Sequence, residues 1–162
     1  MQTIPVKFLL HPVYSPALGF GVGCSKYAPG TVGTLVGVLF YLPLQYLAWP
    51  AYAAVVALLF LAGIYLCGET AGALESHDHP AIVWDEIVGY LATMLLAPSG
   101  WIWIVSGFLL FRLFDIWKPW PVRLVDKRMK GGMGIMIDDL IAAVYSWIFL
   151  QIIHILYTVS LS

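Results

Sequence analysis

Charge is what this chain has least of. Eight of its 162 residues are Lys or Arg and nine are Asp or Glu, 10% in all, where a soluble globular domain carries about 25%. So few charges cannot cover the surface of a water-soluble fold of this length, which excludes an ordinary cytosolic domain. With 61% hydrophobic residues and a mean hydropathy of +0.88, disorder is excluded as well. The net charge of -1 excludes the basic footprint of a nucleic-acid binder. Cysteine is nearly absent: Cys24 and Cys67 are too few for a disulfide framework and read as reduced small residues beside apolar segments. The first 20 residues contain one lysine and three prolines, without the compact apolar core and small-residue cleavage site of a signal peptide. No repeat, low-complexity tract or linker divides the chain, so residues 1–162 read as a single domain embedded in a membrane.

What the chain has instead is long charge-free runs. The first goes from Tyr27 to Gly68, 42 residues, punctuated by Pro43 and Trp49-Pro50. A crossing takes about 20 mainly apolar residues, so this run is long enough for two. The second, Ile87 to Phe111, is broken by the turn signal Pro98-Ser99-Gly100. Extended into the neighbouring charges, its halves predict helices over about Ile82–Ala97 and Trp101–Trp117. The third, Leu140 to Ser162, predicts one more span to about Val159. The expected fold is all-α: a polytopic helical bundle with about four to five membrane-embedded helices.

The charges between the runs set sidedness. With five crossings, or with four and the Pro98 segment dipping in and out, all eight basic residues fall on one side. The turns around Pro43–Pro50 and Pro98–Gly100 contain no Lys or Arg. The positive-inside rule makes the basic side cytoplasmic. All nine acidic residues fall there too. Asp85 and Glu86 open the third predicted helix, Asp115 closes the fourth, and Asp138 and Asp139 open the fifth. Capping and the helix dipole account in part for carboxylates at N-termini but not for Asp115 at a C-terminus. Ionisable groups at membrane depth are costly and usually functional. Five converging carboxylates without a cysteine or histidine cluster describe a hard-cation site, with Mg²⁺ as the expected occupant.

Four motifs refine this. Ala28–Leu35 (APGTVGTL) brings glycines, the Thr31 and Thr34 hydroxyls and a helix N-terminus that could face an anion. It lacks the P-loop lysine, and the plainer reading is a capped helix start with glycines for close packing. In His77–Tyr90, Asp85 and Glu86 point about 100° apart on a helix and can share one ion. His77 and His79 read as a polar surface loop, since no partner spacing supports zinc. In Phe111–Arg123, Arg112, Asp115 and Lys118 share one face at spacing three. They form either an ion-pair ladder or a phosphate site, in which Arg grips oxygens while Asp holds a bridging metal. Trp117 and Trp120 read as interface anchors. In Lys130–Leu140 a glycine-rich approach leads to Asp138-Asp139, which would repel phosphate unless a metal sits between. The basic residues upstream, Arg123 to Lys130, suit anionic headgroups.

Together these stretches, in this order and spacing, resemble the phosphatidylglycerophosphatase A family. The resemblance rests on Pro29–Leu35, His77–Tyr90 and Arg112–Asp139 and covers the chain from about Gly19 onward. It implies an all-helical bacterial inner-membrane enzyme that depends on Mg²⁺. Such an enzyme removes the terminal phosphate of phosphatidylglycerophosphate in phospholipid biosynthesis. The residues are consistent with that chemistry. Asp85, Glu86, Asp115, Asp138 and Asp139 are expected to bind the metal, directly or through water, with Asp85 and Glu86 at the catalytic centre. Arg112 and Lys118 are expected to hold phosphate oxygens, with Thr31 and Thr34 as weaker candidates. Asp78 or His77 is the candidate general acid, and nothing identifies a covalent nucleophile. A phosphotransferase acting on lipid headgroups is the nearest alternative. A divalent-cation transporter ranks lower, because its carboxylates belong near the bilayer midplane.

Overall fold

The computed structural model describes residues 4–76, 79–120 and 129–160, and the described residues are helical, with no strand. Two short helices, α1 (Val6–Leu9) and α2 (Tyr14–Ala17), and a 3-10 segment (Gly19–Cys24) come first. Then follow α3 (Pro29–Leu44), α4 (Trp49–Ala73), α5 (Trp84–Thr93), α6 (Trp101–Trp117) and α7 (Gly131–Ser160). Proline at the first turn starts both α3 and α4, where a missing N–H costs nothing. The 42-residue run thus becomes two helices, and α6 has the expected bounds.

Helix α5 is the centre of the fold. It is ten residues long, and only Glu86 and Ala92 are partly open. Helices α3, α4, α6 and α7 all pack against it. A helix this short buried among others must find partners for its last carbonyls. Side chains from its neighbours supply them. Tyr52 Oη donates to Leu91 O at 2.7 Å, and Trp147 Nε1 donates to Leu95 O at 2.8 Å just beyond the helix. At the other end Trp84 Nε1 donates to Leu59 O of α4 at 3.1 Å.

Two expected boundaries shift. The third helix was expected to run from about Ile82 to Ala97, but it stops at Thr93, and Leu96 adopts a left-handed conformation with φ of 58° ahead of Pro98. The last helix does not open at Asp138. It begins at Gly131, which puts Asp138 and Asp139 about two turns inside it. The glycine-rich approach is helical because it packs. A Cβ at Gly132 would collide with the Ile64 carbonyl of α4 and lie 2.7 Å from Gly68 N. Only glycine permits that backbone contact, and the contact outweighs its poor helix propensity.

The outer faces are apolar. On α6, Ile102, Val105, Leu109, Leu113 and Ile116 recur every three or four residues, each at least 52% exposed. That stripe inverts the pattern of a helix on a water-soluble domain. Helices α4 and α7 are long and apolar enough to cross a membrane; α3, at 16 residues, is shorter. The N-terminal layer covers the end where α5 begins: Val83 N donates to Ala17 O at 2.9 Å, and Phe8, Leu18 and Ala81 form a small second core.

Candidate active site

The site collects at one end of the bundle, where α3 and α5 start, α6 ends and α7 has made its first two turns. Asp85 and Glu86 occupy the first turn of α5. Arg112 and Asp115 lie on the last turns of α6, and Lys118 caps it in a left-handed conformation with φ of 46°. Asp138 and Asp139 come from α7, both 5% exposed. All seven line one cavity of about 260 Å³, together with Ala28, Pro29 and Gly30 at the start of α3.

Within that cavity the acidic residues divide into two groups. Asp85, Glu86 and Asp139 each offer a carboxylate oxygen, and these oxygens lie within 4.8 Å of one another. Asp115 and Asp138 instead meet cations: Arg112 pairs with Asp115, and Lys118 pairs with Asp138. Arg112 also approaches the first group, with its Nη1 4.0 Å from Glu86 Oε1. Three carboxylates this close and largely shielded from water repel one another unless something positive joins them. Glu86 Oε2 and Asp139 Oδ2 are buried without a hydrogen-bond partner among the described residues. Orphaned, hard, anionic oxygens fit a divalent cation such as magnesium, whose preferred ligands are oxygens.

The sequence-derived candidates are thus gathered, with differences. Thr34 is fully buried and its Oγ1 donates to Gly30 O at 2.9 Å, a bond within its own helix, and neither Thr31 nor Thr34 lines the cavity. His77 and Asp78 lie outside the described residues, as do Arg123, Lys127 and Arg128. His79 is described: its Nδ1 accepts a hydrogen bond from Ala81 N at 3.2 Å. Reasoning from the sequence missed the role of Gly30. A Cβ there would collide with Glu86 Oε1 and come within 3.2 Å of Arg112 Nη1. The first turn of α3 is therefore a wall pressed against the Glu86–Arg112 pair. The only signal for it was a glycine following a proline at a helix start.

Carboxylates able to gather a cation, with an arginine and a lysine anchored beside them, define an enzyme site for phosphate esters. Residues 16–154 match the family model for phosphatidylglycerophosphatase A, and the chain belongs to that family. It is 45% identical over 137 residues to phosphatidylglycerophosphatase A of Escherichia coli K12, covering 84% of this chain and 80% of that protein. It is 46% identical over 140 residues to phosphatidylglycerophosphatase A of Haemophilus influenzae, covering 85% and 86%. A Bacteroides thetaiotaomicron protein, provisionally named a phosphatidylinositol-3-phosphatase, is 40% identical over 156 residues, covering 87% and 94%. No solved structure matches the chain.

Proposed function

We propose that this protein hydrolyses the terminal phosphomonoester of phosphatidylglycerophosphate, giving phosphatidylglycerol and phosphate in phospholipid synthesis. The observation that carries this reading is the Asp85, Glu86 and Asp139 cluster beside Arg112, in a chain of this family. The protein is one domain over residues 1–162, set in the bacterial inner membrane with four to five embedded helices. Its apolar outer stripes and the confinement of basic residues to one side support that placement, with the site facing the cytoplasm.

Asp85, Glu86 and Asp139 would hold Mg²⁺, which when bound would neutralise charge on the phosphate and activate water. Asp115 and Asp138 fix the cations: Asp115 orients the Arg112 fork and Asp138 holds the Lys118 ammonium, so both point at the cavity that receives the phosphoryl oxygens. The wall made by Pro29 and Gly30 excludes water behind Glu86. Asp78 or His77 protonates the departing glycerol oxygen.

The test is phosphate release from phosphatidylglycerophosphate in detergent micelles by purified protein, with Mg²⁺ and with EDTA. Phosphatidylinositol 3-phosphate serves as the comparison lipid, chosen because of the name of the Bacteroides relative. Release that requires Mg²⁺ and vanishes in Asp139→Asn supports the reading. Absence of release from a folded protein refutes it, and full Mg²⁺-dependent activity in Asp139→Asn refutes the metal assignment at that position.

A further inference from the structure

A second cavity, of about 430 Å³, adjoins the acidic one, and Pro29 and Pro80 line both. Its charge character is the opposite. Lys26, Ser25 and His79 line it, and no carboxylate does among the described residues. Arg112 and Lys118 are already paired with Asp115 and Asp138, whereas Lys26 forms no ion pair among the described residues; its ammonium lies 5.6 Å from the centre of the Tyr27 ring. His79 accepts at Nδ1 from Ala81 N, so the neutral ring carries its proton on Nε2, which is left as a donor. Tyr27, beside Lys26, is 75% exposed, an aromatic of the kind that sits at headgroup level.

We infer that this second cavity binds the phosphodiester of the lipid substrate, with Lys26 as the residue that recognises it. The inference rests on the function proposed above. That substrate carries two anionic groups joined through one glycerol: a monoester for the acidic cavity and a diester that no metal-binding carboxylate would serve. A cation without a carboxylate partner among the described residues, one wall away from the carboxylate cluster, complements the second group. Lys26 is then a specificity residue, which separates a lipid carrying both phosphates from a simple phosphomonoester. The shared chemistry, a phosphodiester monoanion, is also that of bulk anionic lipid, and the test separates the two sources.

The probes are dihexanoyl phosphatidylglycerol, which has the diester and no monoester, and inorganic phosphate, which mimics the monoester. Both are titrated below the aggregation limit of the lipid against the full-length protein in neutral detergent, by calorimetry and as inhibitors of phosphate release. Lys26→Ala should weaken phosphatidylglycerol binding about tenfold, the loss of one charge-assisted hydrogen bond, and raise KM with kcat little changed. Inorganic phosphate should bind as before, and Lys26→Arg should restore most of the loss. An equal effect on both probes, no effect on either, or an effect seen only on vesicles rich in anionic lipid overturns the inference. Calorimetry needs no turnover, so a wild-type protein that binds the lipid through Lys26 yet releases no phosphate would break the functional reading and leave this site standing.

Discussion

Replacing Gly30 by alanine tests whether the first turn of α3 seats the Glu86 carboxylate. The added methyl would collide with Glu86 Oε1 and lie 3.1 Å from Glu86 Cδ and 3.2 Å from Arg112 Nη1. Ordinary contact requires the carboxylate to retreat by roughly an ångström, and misplacement on that scale costs about 10²-fold in rate. The helix itself should not suffer, since alanine is favoured over glycine in a helix by about 0.5–1 kcal/mol. Gly72 of α4 is the matched control: it is exposed and a Cβ there meets nothing within 4 Å. The expected result is a Gly30→Ala protein that melts no lower than wild type but releases phosphate with kcat about 10²-fold reduced. Gly72→Ala should melt slightly higher and stay fully active. The assay pairs phosphate release in micelles with thermal unfolding in the same detergent. A Gly30→Ala enzyme with wild-type kcat would refute the claim that this backbone positions Glu86.

Three further outcomes follow from the packing and the site. A Cβ at Gly89 would lie 2.6 Å from both Cε2 and Cζ of Phe111, so Gly89→Ala should destabilise by about 1–3 kcal/mol in thermal unfolding, with Phe111→Leu restoring part of it. Lys118→Met removes the cation from Asp138, whose side chain is 7% exposed. The lysine is 27% exposed, so the loss should be about 1–2 kcal/mol, below the range for a fully buried pair, and Lys118→Met/Asp138→Asn should melt higher than Lys118→Met alone. Mg²⁺ at about a hundred times its Kd should stabilise the wild-type protein by about 2.7 kcal/mol; Asp139→Asn should abolish that shift, and EDTA should reverse it. A melting temperature insensitive to Mg²⁺ would count against the three-carboxylate site.

Composition and charge spacing made the fold class legible, because a helix in an apolar run has few other ways to satisfy its backbone. The bounds of α6 followed directly from Pro98-Ser99-Gly100 and Pro119. What was illegible was tertiary. Nothing local indicates that Gly131–Ile137 would be helical, since glycine disfavours helices and only contact with Ile64 and Gly68 reverses that. The early stop of α5 depends on partners for its carbonyls that come from Tyr52 and Trp147, 39 and 52 residues away along the chain from the groups they serve. The candidate site was legible as a list of residue types and spacings. Its division was not: which aspartates face one another and which face Arg112 and Lys118 is set by helix rotation, which spacing leaves free.

The contact of Gly132 with Ile64 and Gly68 has a mechanical consequence. Two helices that meet through side chains can slide or roll by exchanging rotamers; two that meet backbone to backbone cannot. Helices α4 and α7 are therefore clamped in register, and Asp138 and Asp139 have a fixed height on a rigid post. Arg112 and Asp115 ride on α6 and Lys118 ends it in a left-handed conformation. Asp139, the one member of the three-carboxylate group that α7 supplies, therefore has its height set by α4, while Asp85 and Glu86 take theirs from α5.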